Sequence, residues 1–389
     1  MLTAVRALVT AHTVALMVVP KEGLGFRPED VTGVLLLVAL VLLWWAGELA
    51  VPDRRLVTIT TAYVTYFLFV FLVRDLPAGY YQASVFWFKE LSYVAYGYLV
   101  WRGFSSDLQS FVRVASWLTL PNLIYGAYQL STAPAGLYGA SPFGRGNSPS
   151  SSGMVFLICS MVLLARWMLG GRARWLIPAS LLSLTLVFAS GSKIAVVGVI
   201  SIYGYYFLLA AWHDPNRRTI ARFSAVVAIL AIAMSAAIRA GKNEWRRLGR
   251  YRGFFRPIQV VRNRGIWWKV RWIDGPTSAV IGAGYSPPHV VPGEPYGFGM
   301  AMDNQVLYYL ITGGVLSVLL YLALMVRMYR LLPSWYPEGR LLRSTVVAFA
   351  LMGVGAEVLQ LSLHGNAFWL MVGLCSAFAT ARARSEAAA

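Results

Sequence analysis

Long apolar runs recur along the whole 389-residue chain, and their length limits what it can fold into. A helix needs about 20 predominantly apolar residues to cross the hydrocarbon core of a bilayer. We predict twelve such spans, near residues 2–19, 31–51, 56–73, 84–101, 109–130, 153–169, 174–190, 192–212, 219–238, 303–328, 341–361 and 364–381. Hydrophobic residues make up 58% of the chain and charged residues 13%, whereas soluble domains have about 45–50% and about 25%. The sequence therefore predicts an all-α, polytopic helical membrane protein.

An uneven distribution of cations predicts how the spans are oriented. Twelve spans place both termini on the same side of the membrane. The connections on that side carry most of the arginines, namely Arg6, Arg54, Arg55, Arg102, Arg113, Arg166, Arg172, Arg174, Arg217, Arg218, Arg222, Arg327, Arg330, Arg340, Arg343, Arg382 and Arg384. The short connections and span ends of the other side carry only Lys21, Arg27, Arg74, Lys89, Arg145 and Lys193. The positive-inside rule then places both termini in the cytoplasm.

The longest hydrophilic segment, residues 239–302, separates the ninth and tenth predicted spans and falls on the outer side. We therefore predict three regions: a bundle of nine spans over 1–238, the outer loop over 239–302, and three spans with a cytoplasmic tail over 303–389. The first half of the loop mixes cations with aromatic residues, which predicts amphipathic helices at the membrane surface. The second half is rich in Gly and Pro, which indicates irregular backbone.

The positive charge of this loop has two interpretations. Its eleven cations are Arg239, Lys242, Arg246, Arg247, Arg250, Arg252, Arg256, Arg262, Arg264, Lys269 and Arg271. They could contact lipid headgroups, or they could attract a polyanionic substrate such as a diphosphate by long-range electrostatics. Nucleic acid is not an expected partner, because an extracytoplasmic loop rarely meets it.

Ionisable residues inside apolar runs cost at least a few kcal/mol to insert and indicate functional sites. Those on the predicted outer half of the bundle are Lys89, Glu90, Lys193, Asp303 and Glu357. Lys89 and Glu90 have an alternative interpretation, since neighbouring opposite charges help to neutralise each other. Glu357 stands at helical spacing from Gln360 and His364, so this polar stripe has either a structural or a functional role.

The sequence contains no pattern for a metal or nucleotide cofactor. The four histidines, His12, His213, His289 and His364, are scattered, and no acidic pair has the spacing of a metal-binding DxD motif. No P-loop is present. Cys159 and Cys375 lie inside apolar runs, which predicts packing residues rather than a disulfide framework or a metal cluster. We therefore expect no cofactor, and a metal-dependent transferase and a nucleotide-driven pump are both disfavoured.

Four short motifs lie between residues 138 and 330 on the predicted outer side. They are Gly191-Ser192-Lys193; Arg264 with Trp268 and Gly282-Ala283-Gly284; Asp303-Asn304 with Leu307, Tyr308 and Gly313-Gly314; and a segment containing Phe143, Arg145 and Asn147-Ser148-Pro149. In order, spacing and membrane side, these motifs resemble those of the bacterial O-antigen polymerase and O-antigen ligase superfamily of lipid-dependent glycosyltransferases. The N-terminal third of the chain is similar only in hydropathy.

The resemblance implies a helical bundle related to the GT-C class, in the bacterial inner membrane, with the outer loop folding over a periplasmic cavity. It implies metal-free transfer of a glycan from undecaprenyl diphosphate to an acceptor hydroxyl, with the lipid bilayer and a chain-length regulator protein as further partners. Lys193 and Arg264 would hold the diphosphate, since cations there neutralise the leaving group. Lys89 and Arg145 would complete that cluster. Asp303, beside Asn304, would act as general base or orient the acceptor.

Two residues depart from the ligase pattern. Lys193 stands where that pattern has Arg, and a lysine lacks the bidentate fork that arginine offers to phosphate. Asp303 stands where it has His, a role that His289 in the loop could take instead. The Asp303 replacement favours a polymerase over a ligase. A transporter or flippase is the alternative of another class, although we find no internal repeat of the kind that many transporters show.

Overall fold

The computed structural model describes residues 2–17, 28–79, 83–132, 149–171, 174–213, 275–284, 305–355 and 362–388, with isolated positions between 216 and 232. All regular secondary structure in these ranges is helical. The helices are α1 Leu2–Met17, α2 Pro28–Trp45, α3 Arg54–Val70 with a π-helical continuation Phe71–Asp75, α4 Ala83–Phe104, α5 Leu108–Thr132, α6 Pro149–Met168, α7 Leu176–Ala189, α8 Lys193–His213, α9 Gly275–Ile281, α10 Gln305–Leu331, α11 Pro337–Gly355 and α12 Ser362–Ala388.

The helices make this a helical membrane protein, but they do not confirm twelve spans. Among the described residues, four helical stretches are long and apolar enough, by length and composition alone, to cross a membrane: Pro28–Trp45, Arg54–Asp75, Ile194–His213 and Tyr308–Leu331, the last of which is interrupted at Gly314. Three apolar helices are shorter: Leu2–Met17, Ser152–Met168 and Leu176–Ala189. The other long helices, α4, α5, α11 and α12, contain charged or polar residues that lower their hydropathy. The predicted span 219–238 lies largely outside the described residues.

One end of the bundle is strongly basic. There the start of α1 meets the end of α4, where Arg6 Nε donates to the Gly103 carbonyl at 2.7 Å. The end of α8 meets the chain after α10, where His213 Nε2 and Ser334 Oγ are 2.8 Å apart. This end, here called the basic end, carries Arg6, Arg54, Arg55, Arg102, Arg113, Arg166, Arg174, Arg327, Arg330, Arg340, Arg343, Arg382 and Arg384. The exposed tryptophans Trp44, Trp45, Trp167, Trp212 and Trp335 lie there too, as is typical of a membrane interface.

Helices α4 and α12 cross closely at two glycines. A Cβ on Gly97 would lie 2.3 Å from the Trp369 carbonyl oxygen, and one on Gly373 would lie 2.2 Å from the Gly97 carbonyl oxygen. Small residues allow backbones inside a membrane to approach in this way. The contact fixes α12 against α4.

Helix α10 is not the single span predicted for residues 303–328, because the chain reverses direction at Gly314. That residue has φ 65° and ψ −166°. Ser317 Oγ donates to the Tyr309 carbonyl at 2.6 Å, although these residues would be about 12 Å apart on a straight helix. The rings of Tyr309 and Tyr321 have centroids 5.0 Å apart, instead of about 18 Å. Residues 305–313 therefore form a short half-helix that folds back along residues 315–331.

Candidate functional site

The half-helix 305–313 is capped by the segment that follows α9. The last carbonyls of any helix lack partners within the helix. Here Ala283 N–H donates to the Ile311 carbonyl at 2.7 Å, and Gly284 N–H donates to the Thr312 carbonyl at 3.0 Å. The Tyr66 hydroxyl donates to the Gly313 carbonyl at 2.7 Å. The reversal therefore buries irregular backbone without leaving these carbonyls unpaired, as a membrane interior requires.

The contact between α9 and α10 needs glycine on both sides. Gly282 has φ 77°, and a Cβ there would lie 2.2 Å from the Thr312 carbonyl oxygen. A Cβ on Gly314 would lie 2.2 Å from the Val280 carbonyl oxygen. The Gly282-Ala283-Gly284 and Gly313-Gly314 motifs, separated in sequence, thus pack directly on each other and hold the half-helix in place.

A buried polar cluster joins the half-helix to α3 and α4. The Tyr63 hydroxyl donates to the Glu90 carboxylate, and the Tyr63 and Tyr309 hydroxyl oxygens are 2.7 Å apart. Tyr63 and Tyr309 are almost completely buried. An acidic side chain held among tyrosines inside a membrane bundle indicates a functional site. Glu90 was noted in the sequence, whereas both tyrosines, lying in apolar runs, resemble ordinary core residues.

Lys89, the neighbour of Glu90, points to a different helix. Its Nζ lies 3.6 Å from Asp30 Oδ2 on α2, and both side chains are partly exposed. Lys89 therefore has an acidic partner of its own, and Glu90 accepts a hydrogen bond from the Tyr63 hydroxyl. Its proposed part in a diphosphate cluster stays a prediction.

Lys193 is the first residue of α8, after a tight buried turn. Gly191 has φ 66°, Ser192 N–H donates to Ser190 Oγ at 3.2 Å, and Ala195 N–H donates to Ser192 Oγ at 3.2 Å. A Cβ on Gly153 of α6 would lie 2.4 Å from Ser192 Cβ. The Gly-Ser-Lys motif thus ends one helix and caps the next. It fixes the backbone position of Lys193 at the start of α8.

Most other predicted site residues lie outside the described part of the chain. They are Arg145, Arg264, His289, Asp303, Asn304 and Glu357. His364 lies in α12, but its side chain is outside the described set, as is that of Lys193. Asp303 and Asn304 immediately precede Gln305, the first residue of the half-helix. In the sequence, the half-helix therefore begins directly after the predicted catalytic pair.

A second buried polar group has no motif in the sequence that marks it as a site. His12 on α1 has Nδ1 at 2.7 Å from Thr32 Oγ1 and Nε2 at 2.9 Å from Asn366 Oδ1. Its ring lies against Tyr96, with centroids 4.6 Å apart. The sequence shows only a histidine inside an apolar run, and this does not reveal that its partners lie on α2 and α12.

Metal ligands and cysteines give no alternative centre within the described ranges. No three His, Cys, Asp or Glu side chains there come together to hold a metal ion. Cys159 and Cys375 are free and buried in α6 and α12, which confirms them as packing residues.

No protein-family model matches this chain, and no curated protein matches it either.

Proposed function

We propose that this chain is a membrane-embedded glycosyltransferase that polymerises a surface polysaccharide. It would transfer a growing glycan from undecaprenyl diphosphate to the non-reducing end of another lipid-linked repeat unit. The observation that carries the proposal is the contact between the Gly282-Ala283-Gly284 and Gly313-Gly314 motifs. Both belong to the resemblance to O-antigen polymerases, and together they hold a half-helix that begins directly after Asp303-Asn304.

The half-helix suits an anionic substrate. Non-helical backbone at membrane depth is tolerated where it is buried in protein or lines a water-filled cavity. The first N–H groups of a helix carry a partial positive charge, and half-helices of transporters direct such ends at anionic substrate groups. A diphosphate near the start of residues 305–313 would be stabilised in the same way, with Lys193 and Arg264 supplying full charges.

The reaction balances without a cofactor. The acceptor hydroxyl oxygen attacks the anomeric carbon of the donor, the bond from that carbon to the diphosphate oxygen breaks, and undecaprenyl diphosphate leaves with the bonding electrons. The hydroxyl proton goes to a carboxylate, for which Asp303 is our candidate. Cations at the diphosphate stabilise the negative charge that develops on the leaving group.

The arginine distribution supports an orientation for this site. We assign the basic end to the cytoplasm by the positive-inside rule. The reversal at Gly314 then faces the periplasmic half of a bacterial inner membrane, where lipid-linked repeat units would be joined. Both termini would be cytoplasmic, as predicted from the sequence.

Reconstitution tests the proposal. The purified protein in proteoliposomes receives a lipid-linked oligosaccharide, and product length is followed on a gel with and without chelator. A ladder that resists chelation supports polymerisation. A single glycan moved to a non-glycan acceptor would indicate a ligase, and translocation without new bonds would indicate a transporter, a class in which broken helices also occur.

Variants assign the roles. Arg264→Ala should abolish transfer, while Arg55→Gln, an exposed change at the basic end, should leave it intact. Full activity in Arg264→Ala would contradict the diphosphate assignment. At Asp303 the informative comparison is between the variants Asp303→Asn and Asp303→Glu. A general base needs an ionised carboxylate, whereas a group that only orients the acceptor can function as the amide.

A further inference from the structure

Arg74, at the end of α3, has two guanidinium nitrogens without a hydrogen-bond partner among the described residues. These are the Nε and Nη2 atoms, and both are buried. Within the described part of the chain, no acidic side chain forms an ion pair with it. Buried donors of a charged group are costly to leave unpaired. The arrangement therefore calls for an acceptor that the described residues do not supply.

The two unpaired nitrogens are the ones with which an arginine grips an anion. Nε and Nη2 lie on the same edge of the planar guanidinium, and that edge forms two parallel hydrogen bonds with a carboxylate or phosphate. Arg327 uses this edge in the same protein. Its Nε and Nη2 donate to the two carboxylate oxygens of Asp53, at 2.9 Å and 2.5 Å. Arg74 presents the equivalent edge to no described carboxylate.

The backbone around Arg74 is specialised. Residues Phe71–Asp75 form a π-helical segment, closed by a hydrogen bond from Leu76 N–H to the Phe71 carbonyl at 2.9 Å. A π-segment adds one residue to a helical turn and so changes the direction of the side chains that follow; such segments are frequent at functional sites. Asp75, the next residue, is fully buried and has contacts of its own.

The glycine segment of the candidate site packs on the same residues. Gly284 has φ 95°, and a Cβ there would lie 2.9 Å from Arg74 Cβ and 2.6 Å from Asp75 Oδ1. Gly284 also caps the half-helix through Thr312. Arg74 therefore stands next to the backbone that holds the half-helix. A cation near a helix C-terminus is favourable in itself, but that does not supply the missing acceptor.

We propose that Arg74 binds the phosphate of a lipid through its Nε and Nη2 atoms. The first source of that phosphate is the diphosphate of the lipid carrier, and in this form the inference rests on the proposed function. The second source is the headgroup of an anionic phospholipid, which has the same chemistry. In both cases the guanidinium sits at the membrane end of α3 opposite the basic end, where such phosphates lie.

Binding in nanodiscs tests the inference without any glycan transfer. The full-length protein is placed in zwitterionic nanodiscs and titrated with undecaprenyl diphosphate, and in a second arm the nanodisc contains phosphatidylglycerol, with lipid retention measured by native mass spectrometry. Arg74→Gln should weaken binding by roughly tenfold or more, because hydrogen bonds to a charged group are lost. Arg74→Lys keeps the positive charge but cannot form the two parallel hydrogen bonds, so it should lose less lipid binding than Arg74→Gln does.

The control and the outcomes separate the two proposals. Arg55→Gln removes the same charge from the opposite, exposed end of α3 and should bind as the unmodified protein does. Equal binding of both lipids by unmodified protein, Arg74→Lys and Arg74→Gln would overturn the inference. Loss of phosphatidylglycerol in Arg74→Gln, with undecaprenyl diphosphate never bound, would support the phosphate site and count against the polymerase.

Discussion

Ser317 Oγ donates a hydrogen bond to the Tyr309 carbonyl across 2.6 Å, although eight residues separate them in sequence. The same hydroxyl lies 2.9 Å from the Gly314 carbonyl. This one side chain therefore bridges both arms of the α10 reversal. The reversal brings Tyr309 back to Tyr321, so Gln305 begins a half-helix instead of lying inside one long span.

Gly314→Ala should destabilise the protein. The residue occupies a backbone region that is essentially restricted to glycine, and strain of this kind costs about 1–3 kcal/mol. The added Cβ would also lie 2.2 Å from the Val280 carbonyl oxygen. Thermal unfolding in detergent measures the effect. Gly204→Ala is the matched control, since a Cβ there would meet nothing within 4 Å, and it should leave the melting temperature unchanged or raise it.

Tyr63→Phe should destabilise the bundle more than an ordinary buried tyrosine change. It removes the hydrogen bond to the Glu90 carboxylate, and a bond to a charged group is worth about 1.5–3 kcal/mol. Tyr203→Phe is the comparison, because its hydroxyl, 2.8 Å from Ser160 Oγ, meets only a neutral partner. That loss should be about 0.5–1.5 kcal/mol. Equal losses in the two variants would argue that Glu90 is not ionised in the folded protein.

Hydropathy predicted where the helices lie but not how α10 folds. The apolar run over residues 303–328 has the length of one span, and hydropathy does not depend on the direction of the chain. Gly313-Gly314 was identified as a motif, yet a glycine pair in an apolar run also occurs in straight membrane helices. The reversal is visible in the positive φ of Gly314, in its close approach to the Val280 carbonyl and in the hydrogen bond from Ser317 to Tyr309, and hydropathy contains none of these.

The polar cluster shows a second limit of the sequence. Glu90 is conspicuous as a charge in an apolar run, but its partner Tyr63 and the next tyrosine, Tyr309, are 246 residues apart in the sequence. Arg74 was counted only among the cations of the outer side. Its unpaired guanidinium edge depends on which residues pack around it, and a single sequence does not contain that information.

Acidification should weaken the contact between α3 and α10 at the basic end. The Arg327 guanidinium, through its hydrogen bonds to Asp53, holds the pKa of that carboxyl below its ordinary value. Because the folded pKa is lower than the unfolded one, the carboxylate stabilises the fold at neutral pH. That contribution falls once the pH drops below about 4 and is lost as the pH passes through the lowered value.

Asp53→Asn isolates this contribution, since an asparagine still accepts from the Leu56 N–H at the start of α3. The stability difference between unmodified protein and variant should be largest at neutral pH and should shrink on acidification. Glu386→Gln, which removes an exposed partner of Arg382 at 3.7 Å, should show little difference at any pH. A stability difference between the unmodified protein and Asp53→Asn that stays constant from pH 7 to pH 3 would contradict the role of the ion pair.

If the chain transfers glycan from a lipid diphosphate, each new glycosidic linkage must release one lipid carrier, and this stoichiometry can be measured. Proteoliposomes with a lipid-linked repeat unit are sampled over time, and both undecaprenyl diphosphate and new glycosidic linkages are quantified by mass spectrometry. We predict one undecaprenyl diphosphate released for each linkage formed, with products that grow as a ladder. Recovery of the repeat unit intact, with no undecaprenyl diphosphate released, would contradict the claim.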